Sequence, residues 1–169
     1  MSENSIPARP RPYSVLRSVV MPGLKPLPAL LAGFGAFLTI LLLAELTARA
    51  GAPLLIAPFG ASCVVVFALP KGPLARPRNV IGGHLISATI GLAVLHLLGP
   101  SPAAYAIGVG LATAAMALTD TLHPPAGADP IVVVMTGAAW PFLLMPILGG
   151  ALLIVAMALC FRRLAVRYY

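Results

Sequence analysis

Four acids and three histidines stand among 169 residues, and their placement limits the chemistry they can do. Asp129 lies between Ala128 and Pro130 in an otherwise uncharged run, with Asp120 and His123 just ahead of it in the stretch TDTLHPPAGADP. An acid inside an apolar segment is costly and by default functional. Histidine titrates near neutrality, so Asp129, His123, Asp120 and His84 form a candidate proton relay or gate. A permanently ionised Asp129 would repel an anion, whereas a neutral one could donate a hydrogen bond to it or carry a coupled proton. His84 and His96 are 12 residues apart, roughly 18 Å on one helix, too far to share a metal. His84 is read as lining an inner vestibule and His96 as interfacial. Cys63 and Cys160 sit in apolar runs as small buried hydrophobes. No nucleophile–base set, metal cluster, cofactor motif or phosphate loop can be read from the spacing, so no enzyme, metal or cofactor is expected.

The elements that would position these residues are two Pro/Gly knots. At an offset of 67, Pro58-Phe59-Gly60-Ala61-Ser62 matches Pro125-Ala126-Gly127-Ala128-Asp129, each followed by a β-branched run. Ser62 and Asp129 are placed as N-caps, Asp129 with Pro130 at the first helical position. The helices they open, about 63–69 and 130–138, would cover roughly 10–14 Å, half of the hydrocarbon core. Their N-termini would meet near the midplane and present free N–H groups and positive dipole ends, an anion site without a basic side chain. The candidate binding residues are Pro58, Gly60, Ala61, Ser62, Pro125, Gly127, Ala128 and Asp129. The glycines would let backbone approach a small ligand closely.

Composition places all of this in a membrane. The chain is 60% hydrophobic and 9% charged, where soluble domains carry about 25% charged residues. Its net charge of +7 sits in clusters between apolar runs without interleaved aromatics, a pattern of membrane topology and not of nucleic-acid binding. Full spans are read at 28–46, 80–98, 102–119 and 141–161, and broken segments at 53–69 and 124–140. The fold expected is therefore an all-α polytopic membrane protein with four full spans plus two broken segments. Its transmembrane domain covers 28–161, as repeat one (28–98) and repeat two (102–161), between basic tails at 1–27 and 162–169. If the broken segments cross, ten of the eleven basic residues share the cytoplasmic side with both termini, and Arg49 is the exception. Three segments per half then make the two repeats inverted, as in many secondary transporters. Arg76, Arg78 and Asn79 would line the inner mouth. Glu45 and Arg49 form an exposed i,i+4 pair. Gly83, Ser87 and Gly91, and Ala106, Gly110 and Ala114, form small-residue faces suited to close helix packing within a subunit or in a homo-oligomer. Tyr13, Trp140, Tyr168 and Tyr169 fit interfacial anchoring.

The His123-Pro124-Pro125 triplet, the PFGAS knot and the stretch LARPRNVIGGH at 75–84 together resemble the HPP family of integral membrane proteins. The resemblance runs from about residue 25 to 165. It implies a transporter of a small inorganic anion with nitrite as first candidate, since members are linked to nitrite transport. Proton coupling, a lipid bilayer as partner and a bacterial cytoplasmic (inner) membrane complete that expectation. A passive anion channel, or a membrane scaffold without translocation, are the alternatives.

Overall fold

Proline stands in the first turn of nearly every helical element, where a missing N–H costs nothing and φ is already set. The computed structural model describes residues 26–51 and 53–164, and among these the chain is all-helical. The helices are α1 (Pro26–Ala50), α2 (Ala57–Ala68), α3 (Pro77–Leu98), α4 (Pro102–Leu118), α5 (Asp129–Thr136) and α6 (Gly149–Leu164). Short 3-10 turns at Pro73–Ala75, Pro124–Ala128 and Trp140–Leu143 lie between them, and the wide turn Leu144–Leu148 leads into α6. The basic tails lie largely outside the described residues, and with them Arg9, Arg11, Arg17, Lys25, Arg167, Tyr13, Tyr168 and Tyr169.

Among the described residues, three stretches are long and apolar enough to cross a membrane: Pro26–Arg49, Pro77–Leu98 and Trp140–Leu164. The last is not one regular helix, because two irregular turns precede Gly149. The fourth expected span is α4, 17 residues long and so roughly 25 Å. The broken segments hold the shorter helices α2, of 12 residues, and α5, of 8.

The knots do not break the chain where the sequence places the breaks. α2 begins at Ala57, and its cap is Ile56, which is extended and makes no side-chain cap bond. Pro58 opens this helix instead of interrupting it, and Gly60 lies within it. Ser62 is therefore mid-helix and not an N-cap; its hydroxyl lies 3.2 Å from the Pro58 carbonyl one turn back. Asp129 is likewise the first residue of α5 and not its cap, the cap position being Ala128.

The extended strand of chain before α2 needs partners for its backbone, which lipid cannot supply. Thr47 provides them: its hydroxyl donates to the Leu43 carbonyl and accepts from Leu54 N and Leu55 N at 2.9 and 3.0 Å. Thr47→Val keeps the shape and removes both acceptor contacts. It is expected to cost about 1–3 kcal/mol, read as a lower thermal midpoint of the detergent-solubilised chain.

α3 is the central element, packed by α4, α5, α6 and the Pro124–Ala128 turn. Its small-residue face is filled from within the chain. A Cβ at Gly83 would lie 3.0 Å from the Thr121 carbonyl, and one at Gly91 would lie 2.8 Å from Pro130 Cα. Between them Ser87 donates to the Ala126 carbonyl at 2.6 Å. That face seats the second broken segment. On α4 the buried small face is Ala104, Gly108 and Ala112, while Ala106, Gly110 and Ala114 point outward.

The close packing at the glycine pairs recurs with the offset that aligns the knots. Gly82 and Gly83 lie against the side chain and carbonyl of Thr121, and Gly149 and Gly150 lie against the side chain and carbonyl of Leu54. Gly82 and Gly149, Gly83 and Gly150, and Leu54 and Thr121 are each 67 residues apart. Leu54 and Thr121, each four residues ahead of a knot, are thus held against glycine pairs on α6 and α3.

Candidate functional site

Four polar side chains from three stretches of chain meet in the interior: Ser62, His84, His123 and Asp129, all with no exposed surface. Ser62 projects from the buried face of α2 that also carries Phe59, Cys63 and Val66. His84 comes from the second turn of α3. His123 directly precedes the Pro124–Ala128 turn, and Asp129 opens α5. Ser62 Oγ lies 2.8 Å from His84 Nε2 and 3.0 Å from His123 Nε2. His84 Nδ1 lies 2.8 Å from Asp129 Oδ2, and His123 Nδ1 donates to the Leu74 carbonyl at 2.9 Å. The result is one hydrogen-bonded chain, Leu74–His123–Ser62–His84–Asp129.

The packing fixes this chain. The Phe59 ring meets His84 edge-on at 5.1 Å between centroids, and the two imidazoles lie 5.2 Å apart. Gly83 leaves room for His123, since a Cβ there would stand 2.8 Å from the His123 Cβ. Asp129 Oδ1 is buried and has no partner. Among the described residues no group of three or more His, Cys, Asp or Glu is arranged to hold a metal ion.

The two repeat-equivalent positions, Ser62 and Asp129, lie on either side of one imidazole, that of His84. His84 is therefore not in the vestibule, where the sequence places it, because the face of α3 bearing it turns inward. The serine, histidine and acid also stand in the relay order that activates a serine nucleophile. Sequence spacing concealed this set: its members are 22 and 45 residues apart on different elements.

The expected paired-terminus anion site takes a different form. Pro58, Ala61, Pro125 and Ala128 line an open groove of about 750 Å³ between α2 and α5, with Val64, Ile131 and Met135. Ser62 and Asp129 face inward, away from any exposed surface. The positive end of α5 is met by the carboxylate of its own first residue, and that occupies the favourable dipole position. Gly60 and Gly127 have open space where a Cβ would stand, so no close approach within the chain explains them.

Arg76, Arg78 and Asn79 do come together, with Asp120 and Leu74, around a cavity of about 410 Å³. Arg78 donates to the Thr119 carbonyl at 2.7 Å, and Asn79 to the Leu122 carbonyl at 3.0 Å, so both staple the 119–123 loop to α3. Asp120 is exposed in this mouth with a φ of 54° and takes no part in the buried chain. Leu74 joins the two places: it lines the cavity, and its carbonyl holds His123. His96 lies at the other end of α3 beside a cavity shared with Trp140, which is half exposed as an interfacial anchor would be. Glu45 and Arg49 pair at 3.2 Å on the surface, a contact of little energetic weight.

Comparison with known proteins settles the family. The family model for the HPP transmembrane region matches residues 21–169. The chain belongs to the HPP family. Two transmembrane proteins of Dictyostelium discoideum are similar to it: one is 41% identical over 62% of this chain and 40% of its own length, the other 35% identical over 73% and 44%. The chain thus spans less than half the length of these relatives. No solved structure matches it. Family, apolar helices and relatives agree on an integral membrane protein in contact with a lipid bilayer.

Proposed function

We propose that this HPP-family chain is a membrane transporter that moves a small inorganic anion together with a proton, with nitrite the first candidate. The observation that carries the reading is the buried Leu74–His123–Ser62–His84–Asp129 chain. Titratable groups wholly buried in a membrane protein are costly and mark proton or ion pathways. The equivalent glycine contacts at offset 67 support two inverted halves, an architecture in which substrate and coupling-ion sites lie where the repeats meet. Arg76 and Arg78 give the adjoining cavity a positive mouth that would attract anions, and Leu74 links it to the proton-holding groups. The clustering of basic residues supports a cytoplasmic side for that mouth and both termini under the positive-inside rule, and the membrane proposed is a bacterial inner membrane.

A second reading rests on the serine–histidine–acid order, which suits a hydrolase. Against it, Ser62 lies mid-helix with no exposed surface, and its oxygen already meets two imidazoles and the Pro58 carbonyl. No carbonyl carbon could reach it without displacing one of them. A fluorophosphonate probe is expected to leave Ser62 unlabelled in the folded chain; labelling would favour the hydrolase.

Tracer uptake in proteoliposomes tests transport, comparing nitrite, nitrate, formate and chloride at two pH values. An inward proton gradient is expected to drive accumulation of the favoured anion, and Asp129→Asn to remove the pH dependence. Flux that merely equilibrates would point to a passive channel. No flux with any anion, alongside intact folding, would leave a scaffold.

A further inference from the structure

We infer that the Ser62–His84–His123–Asp129 cluster binds one proton and that releasing it unties α2 from one of its two histidine partners. The inference deepens the transport reading by giving the number of coupling ions and the element they would move.

It follows from counting hydrogens. Four contacts join the cluster across elements: Leu74 O with His123 Nδ1, His123 Nε2 with Ser62 Oγ, Ser62 Oγ with His84 Nε2, and His84 Nδ1 with Asp129 Oδ2. The longer contact of Ser62 Oγ with the Pro58 carbonyl stays within α2 and competes for the same hydroxyl hydrogen, so it adds none to the supply. Each needs one hydrogen between its heavy atoms. Two neutral imidazoles and one hydroxyl supply three, and an ionised Asp129 supplies none. A fourth proton completes the set, with Ser62 donating to His123 Nε2 and His84 Nε2–H donating to Ser62. That proton sits on His84 beside a carboxylate or on Asp129 beside a neutral imidazole, and either way the pair is neutral overall.

Removing it singles out one place. The Leu74 carbonyl can only accept, so His123 keeps its hydrogen on Nδ1 and its Nε2 is bare. The Asp129 carboxylate can only accept, so His84 keeps its hydrogen on Nδ1 and its Nε2 is bare as well. Ser62 then faces two bare nitrogens, at 2.8 and 3.0 Å, with one hydrogen. One contact becomes a repulsion between lone pairs. Because Ser62 is on α2 while the histidines belong to α3 and to the segment before α5, the strain falls between α2 and one of those two. The released proton passes to water or to the carried anion.

Among the described residues, the hydrogen bonds that reach Ser62 come from the two histidines and its own helix. Of the elements packed around the cluster, α2 carries Cys63; α3 carries Arg78, His84 and, at its far end, His96; Lys71 and Arg76 flank the Pro73–Ala75 turn; the 119–123 loop carries Asp120; and α6 carries Cys160, Arg162 and Arg163. On α1, Glu45 and Arg49 pair with each other. Arg78 donates to the Thr119 carbonyl and Arg162 to the Ala75 carbonyl.

Hydrogen–deuterium exchange of the α2 amides tests this in the full chain in lipid, measured across pH and divided by the intrinsic exchange rate. Wild-type α2 is expected to exchange about tenfold faster above a single-proton transition than below it, the effect of one lost buried hydrogen bond. Asp129→Asn supplies the fourth hydrogen permanently through its amide, so α2 should stay slow at every pH. Ser62→Ala removes the contested oxygen, so the step should vanish; this variant carries the test if Asp129→Asn does not fold. A wild-type profile without a step, or a step that survives in a folded variant, overturns the proposal. Flux measurements separate it from the transport reading. A step without flux leaves the proton site standing and removes transport, and pH-driven flux without a step does the reverse.

Discussion

Replacing His84 by leucine is expected to destabilise the folded chain by about 3–5 kcal/mol, the cost of removing one partner of a buried, hydrogen-bonded acid–base pair. His84 Nδ1 is the contact that Asp129 Oδ2 makes, and Oδ1 has none. Without the imidazole the carboxyl is left in a dry interior with neither oxygen partnered. Leucine fills much of the same volume, so the loss comes mainly from the stranded acid and little from a cavity. The sharper check is the double variant His84→Leu/Asp129→Leu. Removing both polar partners together should restore most of the stability, because an apolar pair has no desolvation to offset. Thermal unfolding of the four forms in detergent closes this cycle. If the double variant were as unstable as the sum of the singles, the pair would not be the source of the effect.

Gly150→Ala is the second large effect, expected to cost about 1–3 kcal/mol by overpacking. A Cβ at Gly150 would overlap the edge of the Phe59 ring and also lie 3.1 Å from the Leu54 carbonyl. Phe59 has no exposed surface and stands edge-on to His84, so the ring cannot retreat without pressing on the buried chain. The same substitution should therefore disturb function as well as folding. Phe59→Leu, which withdraws the ring edge, is expected to return part of the loss. Unfolding midpoints of the single and double variants measure it, and an unchanged midpoint for Gly150→Ala would contradict the packing described. Gly83→Ala at the equivalent place meets the Thr121 carbonyl and the His123 Cβ in the same manner.

The two sites differ in how visibly the sequence announced them. The cavity lined by Arg76, Arg78 and Asn79 is legible because its residues are consecutive or nearly so. Asp129 was legible as an acid in an apolar run. Ser62 reads as a helix cap in the sequence and is a mid-helix residue in the fold. A serine two residues after a glycine looks like a cap, yet Pro58 already starts that helix, and its hydroxyl serves a contact across the interior. The small-residue stripe on α3 was equally visible, but spacing alone does not say which element lies in it.

Sequence by itself determined the membrane class, the two knots and their offset of 67, and the positions of the charges. These are local or periodic properties: runs of apolar residues long enough for lipid, and prolines that cannot join a helix ladder. Only the tertiary structure decided that Ser62, His84, His123 and Asp129 form one hydrogen-bonded chain, and that Leu54 and Thr121 pack against glycine pairs on α6 and α3. Those facts depend on which faces of α2, α3 and α5 turn toward one another. That choice is made by packing, through glycines that admit a neighbouring carbonyl and through buried polar side chains that hydrogen-bond across elements.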